Sequence, residues 1–170
     1  ADEWYRTKAP RDPMHLNVMK RYQYLTQAMV EIAQNRPDAA LLTLSPLERY
    51  ILGCGRHIDG IHLNILCALA LYRKKDNAWR LTAALDTAAE YSFITPVSVY
   101  SAAVLPLLEK LNRNDDTKWY KRLMAAVRTQ ATYYPHFLAP RMAAAEALTP
   151  TELQILHLIC ADKSNAEIAQ

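Results

Sequence analysis

Positions 25, 28, 32 and 41 carry Leu, Ala, Ile and Leu, and a shift of about 40 residues meets Ile65, Ala68, Tyr72 and Leu81 in the same slots. An apolar pattern repeating at that period marks a helical hairpin that cannot bury its own apolar face and must stack on its neighbour. Nine Pro against three Gly in 170 residues, with no apolar–polar alternation over strand length, agree with helices broken by proline turns. The expectation is an all-α chain whose core is a tetratricopeptide-like solenoid of about three helical pairs.

Local signals divide the chain further. Asp12-Pro13 reads as a cap and first-turn proline, and Val18, Tyr22, Leu25, Met29 and Ile32 follow at helical spacing to about Asn35. Arg36-Pro37-Asp38 opens a partner after a very short turn, and Ser45-Pro46 predicts a kink or restart in it. Gly53-Cys54-Gly55 stops that pair. Ile58, Ile61, Ile65, Ala68, Leu69 and Tyr72 mark the next helix, and Leu63, Leu66 and Leu71 widen its apolar face, which predicts a central helix packed on two sides. A further helix ends near Tyr91. Thr95-Pro96 starts a third pair, predicted to be interrupted at Pro106, and Asp115 or Asp116 is the expected cap of its partner, whose stripe runs from Tyr120 through Leu123 and Val127 to Tyr134. Residues 1–134 thus read as a sensory or interaction domain, 135–147 as a linker able to hug it through Phe137 and Leu138, and 148–170 as a separate module.

Several function classes are disfavoured. No apolar run approaches the ~20 residues that span a bilayer, and the start lacks the pattern of a secretion signal, so no membrane partner and a cytoplasmic location are expected. Cys54, Cys67 and Cys160 are odd in number and sit in apolar helical surroundings, which predicts reduced core thiols. Cys54, His57, His62 and Cys67 do not suggest a metal, because the steps of five between His57, His62 and Cys67 diverge around a helix. With no nucleophile elbow, Gly-rich phosphate loop or paired-carboxylate motif, no catalytic residue and no cofactor are expected in this chain. Lys118-Trp119-Tyr120-Lys121-Arg122 interleaves bases with aromatics, yet helical spacing puts Tyr120 on the buried stripe and the bases on its solvated flanks.

The closing segment is built differently. Thr149-Pro150-Thr151-Glu152 forms a capping box, Leu148 and Leu153 a hydrophobic staple, and Leu153, Leu156 and Ile159 a buried face. Ser164 with Glu167 repeats the box for a second helix facing Ile168. The segment holds one base, Lys163, against three acids, Glu152, Asp162 and Glu167, so it carries −2 of the chain's net +3 and residues 1–147 carry +5. The strings Leu148-Thr149-Pro150-x-Glu152-x-x-Ile155-Leu156 and Ser164-Asn165-x-Glu167-Ile168-Ala169 resemble the opening half of the LuxR-type (GerE-like) helix-turn-helix of bacterial transcription regulators. Asp162 stands where that family usually has Gly, and Ala166 where a Lys or Arg often holds phosphate. The stretches LTQAMVEIAQNRPDAALLTL, ILCALALYRKKDNAWRLTAAL and YSFITPVSVYSAAVLPLLEKL are similar to the tetratricopeptide-like region of the large, MalT-like members. The resemblance implies that Thr149, Glu152, Leu156, Ser164, Asn165, Glu167 and Ile168 form the scaffold of a DNA-binding module whose recognition helix follows. DNA is then a partner of the full-length protein only, and any ATPase domain lies outside this chain.

Ten Tyr against two Phe is the main compositional bias. Tyr22, Tyr24, His62, Asn64, Tyr72, Arg73 and Tyr100 come from the first helices of successive pairs, which line the concave face of helical-hairpin solenoids. They are the candidate groove for a small-molecule inducer or a protein partner, with homo-oligomerisation open. The alternative expectation is an interaction scaffold of helical repeats with no DNA-binding role.

Overall fold

The computed structural model describes residues 2–10, 16–76, 79–111 and 117–139. The chain divides into two units at Pro140 and Arg141, and all described residues belong to the first. The expected scaffold residues of the DNA-binding module, Thr149, Glu152, Leu156, Ser164, Asn165, Glu167 and Ile168, lie outside the described residues, as do Asp12-Pro13, Asp115, Asp116 and Cys160.

Every regular element among the described residues is helical: α1 (Asp2–Thr7), a 3-10 turn (Val18–Lys20), α2 (Arg21–Ala33), α3 (Pro37–Gly53), α4 (His57–Arg73), α5 (Arg80–Glu90), α6 (Thr95–Ser98), α7 (Ser101–Leu111) and α8 (Lys118–Tyr133). The chain is all-α, as the 40-residue pattern predicts. Neighbours in sequence pack on each other, α2 on α3, α3 on α4, α4 on α5 and α7 on α8, while α4 also touches α2, α6 and α7. The wide apolar face of α4 explains its place: Ile61, Leu63, Ile65, Leu66, Ala68, Leu69 and Ala70 are all buried, which one stripe could not achieve.

One turn design repeats. Helices α2, α3, α4 and α5 each end with a residue in the left-handed region, at Asn35 (φ 56°), Gly55 (φ 61°), Lys75 (φ 60°) and Ser92 (φ 55°). After each, the next N–H donates five residues back: Arg36 to the Glu31 carbonyl at 2.8 Å, Arg56 to Ile51 at 3.3 Å, Asp76 to Leu71 at 3.0 Å and Phe93 to Ala88 at 2.8 Å. This Schellman closure satisfies carbonyls the helix end would otherwise orphan, and between α2 and α3 and between α3 and α4 it turns the chain within three residues. So short a connection leaves the next helix only the antiparallel direction.

Four local expectations change. The helix expected from Asp12-Pro13 begins, among the described residues, at Asn17, whose Oδ1 accepts from the Met19 N–H at 3.1 Å. Helix α3 runs through Pro46 and α7 through Pro106; the third pair breaks at Val99 and Tyr100 instead, before Ser101 with φ 41°. Helix α8 is capped by Thr117, whose hydroxyl accepts from the Tyr120 N–H at 3.2 Å. Cys54 is exposed at the end of α3, whereas Cys67 is buried; both are free thiols.

Candidate functional site

Helical geometry disperses the expected groove. Tyr22 and Tyr24 are two positions apart, about 200° around α2. Tyr22 is exposed and stacks under the Arg21 guanidinium at 4.5 Å, while Tyr24 is buried. Tyr100 is fully buried, and its hydroxyl lies 2.9 Å from His62 Nδ1. Asn64 Oδ1 accepts from Arg80 at 3.3 Å, beside the two-pronged pair that Arg80 makes with Glu48 at 2.6 and 3.0 Å. Tyr72 is at the surface with Lys110 Nζ 5.8 Å above its ring, and Arg73 is half-buried. The structure therefore brings together His62 with Tyr100 and sets Tyr72 beside Arg73; Tyr22, Tyr24 and Asn64 stand apart from them and from one another.

Two places emerge in their stead. The first is the segment after α8. Residues 134–139 fold back across the stack: the Ser101 hydroxyl faces the Tyr134 carbonyl at 3.5 Å, Phe137 meets the buried Tyr100 ring edge-on at 6.5 Å, and Arg73 donates to the Leu138 carbonyl at 2.9 Å. Internal bonds shape the segment, from Phe137 N–H to Tyr134 at 3.2 Å and from Ala139 N–H to His136 at 3.1 Å. Beneath it lies a cavity of about 130 Å³ reached by Ile32 of α2 and Leu69 of α4. This strap thus ties the end of α8 to the junction of α6 and α7 at Tyr100 and to α4 at Arg73.

The second is a cleft of about 610 Å³ between α1, α2 and α3. Its lining is mainly apolar and aromatic, with Glu31, Gln27 and Thr43 as polar groups and the exposed Arg6 as a cation, a composition that suits a small-ligand site. The Tyr5 hydroxyl and Gln27 Nε2 donate to Glu31 Oε1 at 2.8 and 3.1 Å, and the Thr43 hydroxyl donates to Oε2 at 2.8 Å. Burial and the hydrogen bond to Glu31 push the Tyr5 phenol up, so it stays a donor at neutral pH. The sequence did hold a signal for this site: Tyr24, Ala28 and Glu31 follow the same apolar stripe, and a carboxylate in such a slot must be compensated.

The remaining buried charge is structural. Asp59, in the first turn of α4, accepts on Oδ2 from the Arg21 Nε at 3.1 Å and from the Arg56 Nε. Burial pushes the Cys67 thiol up to about 11, so it is not a thiolate nucleophile at neutral pH. Among the described residues no cluster of His, Cys, Asp or Glu could hold a metal ion, and no helix is long and apolar enough to cross a membrane. Lys118, Lys121 and Arg122 are exposed on α8, flanking its buried Leu123 and Val127. Comparison of the chain with protein-family models, curated proteins and solved structures finds no match.

Proposed function

We propose that the chain is the sensory and signal-transmission region of a LuxR-family DNA-binding transcriptional regulator, in which a solenoid of helical hairpins receives an effector or partner and controls the module of residues 148–170. The observation that carries the reading is the strap. A segment leading from the last helix toward residues 148–170 is held by Arg73 and Phe137 to side chains of the helical stack. Any ligand that prefers one packing of those helices shifts the strap by its difference in affinity for the two packings. The family resemblance of residues 148–170 supplies the output.

The test is duplex-DNA binding by the natural polypeptide carrying this chain, alongside the same polypeptide with Arg73→Ala and Phe137→Ala. Salt-dependent, sequence-specific binding whose effector dependence changes in the double variant supports the reading. A polypeptide that never binds duplex DNA sinks it. The second reading, an interaction scaffold, would then stand on the cleft of about 340 Å³ beside the exposed Tyr72 and Trp79.

A further inference from the structure

The cleft between α1, α2 and α3 has a chemical preference. Glu31 on its floor is only 2% exposed. A carboxylate so placed must be compensated by charge or by hydrogen bonds. Its hydrogen-bond partners among the described residues are all neutral: Tyr5, Gln27 and Thr43. An ionised carboxylate has about four acceptor positions, so three donors leave one. The Gln27 amide adds a second acceptor. Only its N–H₂ can donate to Glu31, which fixes the orientation of the amide and directs Oε1 away from the carboxylate. That Oε1 is buried and has no hydrogen-bond partner.

Two open acceptors on side chains that bond each other, one bearing a full negative charge, match a group with several N–H donors and a positive charge. At these two acceptors an anion would be repelled, and a neutral hydroxyl could serve one acceptor while leaving the Glu31 charge unpaired. The walls ask for something different: Tyr24, Ala39, Leu42 and Pro46 present aromatic and aliphatic surface, Arg6 adds a cation that is exposed where Glu31 is buried, and the volume of about 610 Å³ falls within the range of small-ligand sites.

We propose that this cleft binds a small organic cation, a primary ammonium or guanidinium on an apolar body. Its N–H donors bond Glu31 and Gln27 Oε1, and its body lies against Tyr24, Leu42 and Pro46. The assignment deepens the effector reading and rests on it for the consequence of binding, though not for binding itself.

The experiment titrates the whole chain with phenethylamine and phenethylguanidine, and with 2-phenylethanol as the neutral comparator, by calorimetry. Both cations should bind at least about tenfold more tightly than the alcohol, because a site built to pair buried polar groups rejects the analogue that cannot. Glu31→Gln, which keeps the shape, should abolish that preference. Leu42→Lys, at a position 66% exposed and therefore harmless to the core, should weaken both cations several-fold by charge repulsion at the rim. Equal affinity of cations and alcohol, or a preference that survives both substitutions, overturns the site. Amide hydrogen exchange at residues 134–139 separates the two claims: cation binding that leaves it unchanged preserves the site and counts against transmission.

Discussion

Lys75 holds a backbone conformation that a side chain with a Cβ resists. Its φ of 60° lies in the left-handed region, which costs an L-residue roughly 1–2 kcal/mol and costs Gly little. The same slot holds Gly55 after α3, and Lys75 is exposed, so its side chain gives little back. Lys75→Gly should therefore raise stability by up to about 1 kcal/mol after the greater freedom of Gly in the unfolded chain is charged against it. Thermal unfolding should show a melting temperature about 2–4 °C higher in a domain of this size, and a lower one would contradict the account. His62 sets a second expectation. Burial lowers its pKa, only partly opposed by the nearby Asp59 carboxylate, so the unfolded chain binds the proton more readily than the folded one. Stability from this group is complete above the unfolded value of about 6.5 and is lost as pH falls through and below it. Protonation also makes Nδ1 a donor, so the Tyr100 hydroxyl, kept neutral by its burial, must accept from it. Denaturant melts at pH 7 and pH 5 should show a smaller acid loss for His62→Gln than for the parent chain.

At the scale of the element, helices α3 and α7 tolerate prolines that the sequence marks as breaks. Proline removes one N–H and crowds the carbonyl four residues back, a cost of about 3 kcal/mol in a helix interior. In both helices the neighbours repay it: Leu44 and Leu47 flank Pro46, Val104 and Leu107 flank Pro106, and all four are buried. The carbonyl left free by Pro46 belongs to Leu42, an exposed residue where water can serve it. Tertiary burial thus overrides a local signal that a linear reading cannot weigh. Pro106 is itself exposed, so Pro106→Ala should stabilise the protein by roughly 1–3 kcal/mol, visible as a higher urea midpoint with unchanged slope. The rest of the element list was legible where periodicity is long: α2, α4 and α5 follow apolar stripes that need no partner to be seen. Helix α1 was not, because six residues carry less than two turns of pattern. The cleft was missed for the same reason, since Tyr5 and Glu31 are 26 residues apart and only the docking of α1 on α2 brings them together.

At the scale of the molecule, what distinguishes this stack is how its end is tied. Groove residues chosen by helix order alone were scattered, because order along the chain does not say which side of a helix meets a neighbour. Arg73 and Tyr100 nevertheless meet one feature, the strap, from two different helical pairs. Its hold is divided: Phe137 contributes partly buried ring surface, and Arg73 contributes a charged hydrogen bond to a backbone carbonyl. The two should fail differently. Phe137→Ala removes packing against Tyr100 and enlarges the cavity of about 130 Å³ beneath, so it should lower global stability by about 1–2 kcal/mol, less than a fully buried Phe would cost. Arg73→Met keeps the apolar stem and deletes the donor, so it should change global stability by less than about 1 kcal/mol while freeing Leu138 from α4. Hydrogen exchange distinguishes these outcomes. With Arg73→Met the amides of Phe137 and Ala139, whose bonds exist only within the folded strap, should lose protection while those in the middle of α4 keep theirs. If strap and α4 lose protection together, the segment is an integral part of the core and has no separate state through which a signal could pass.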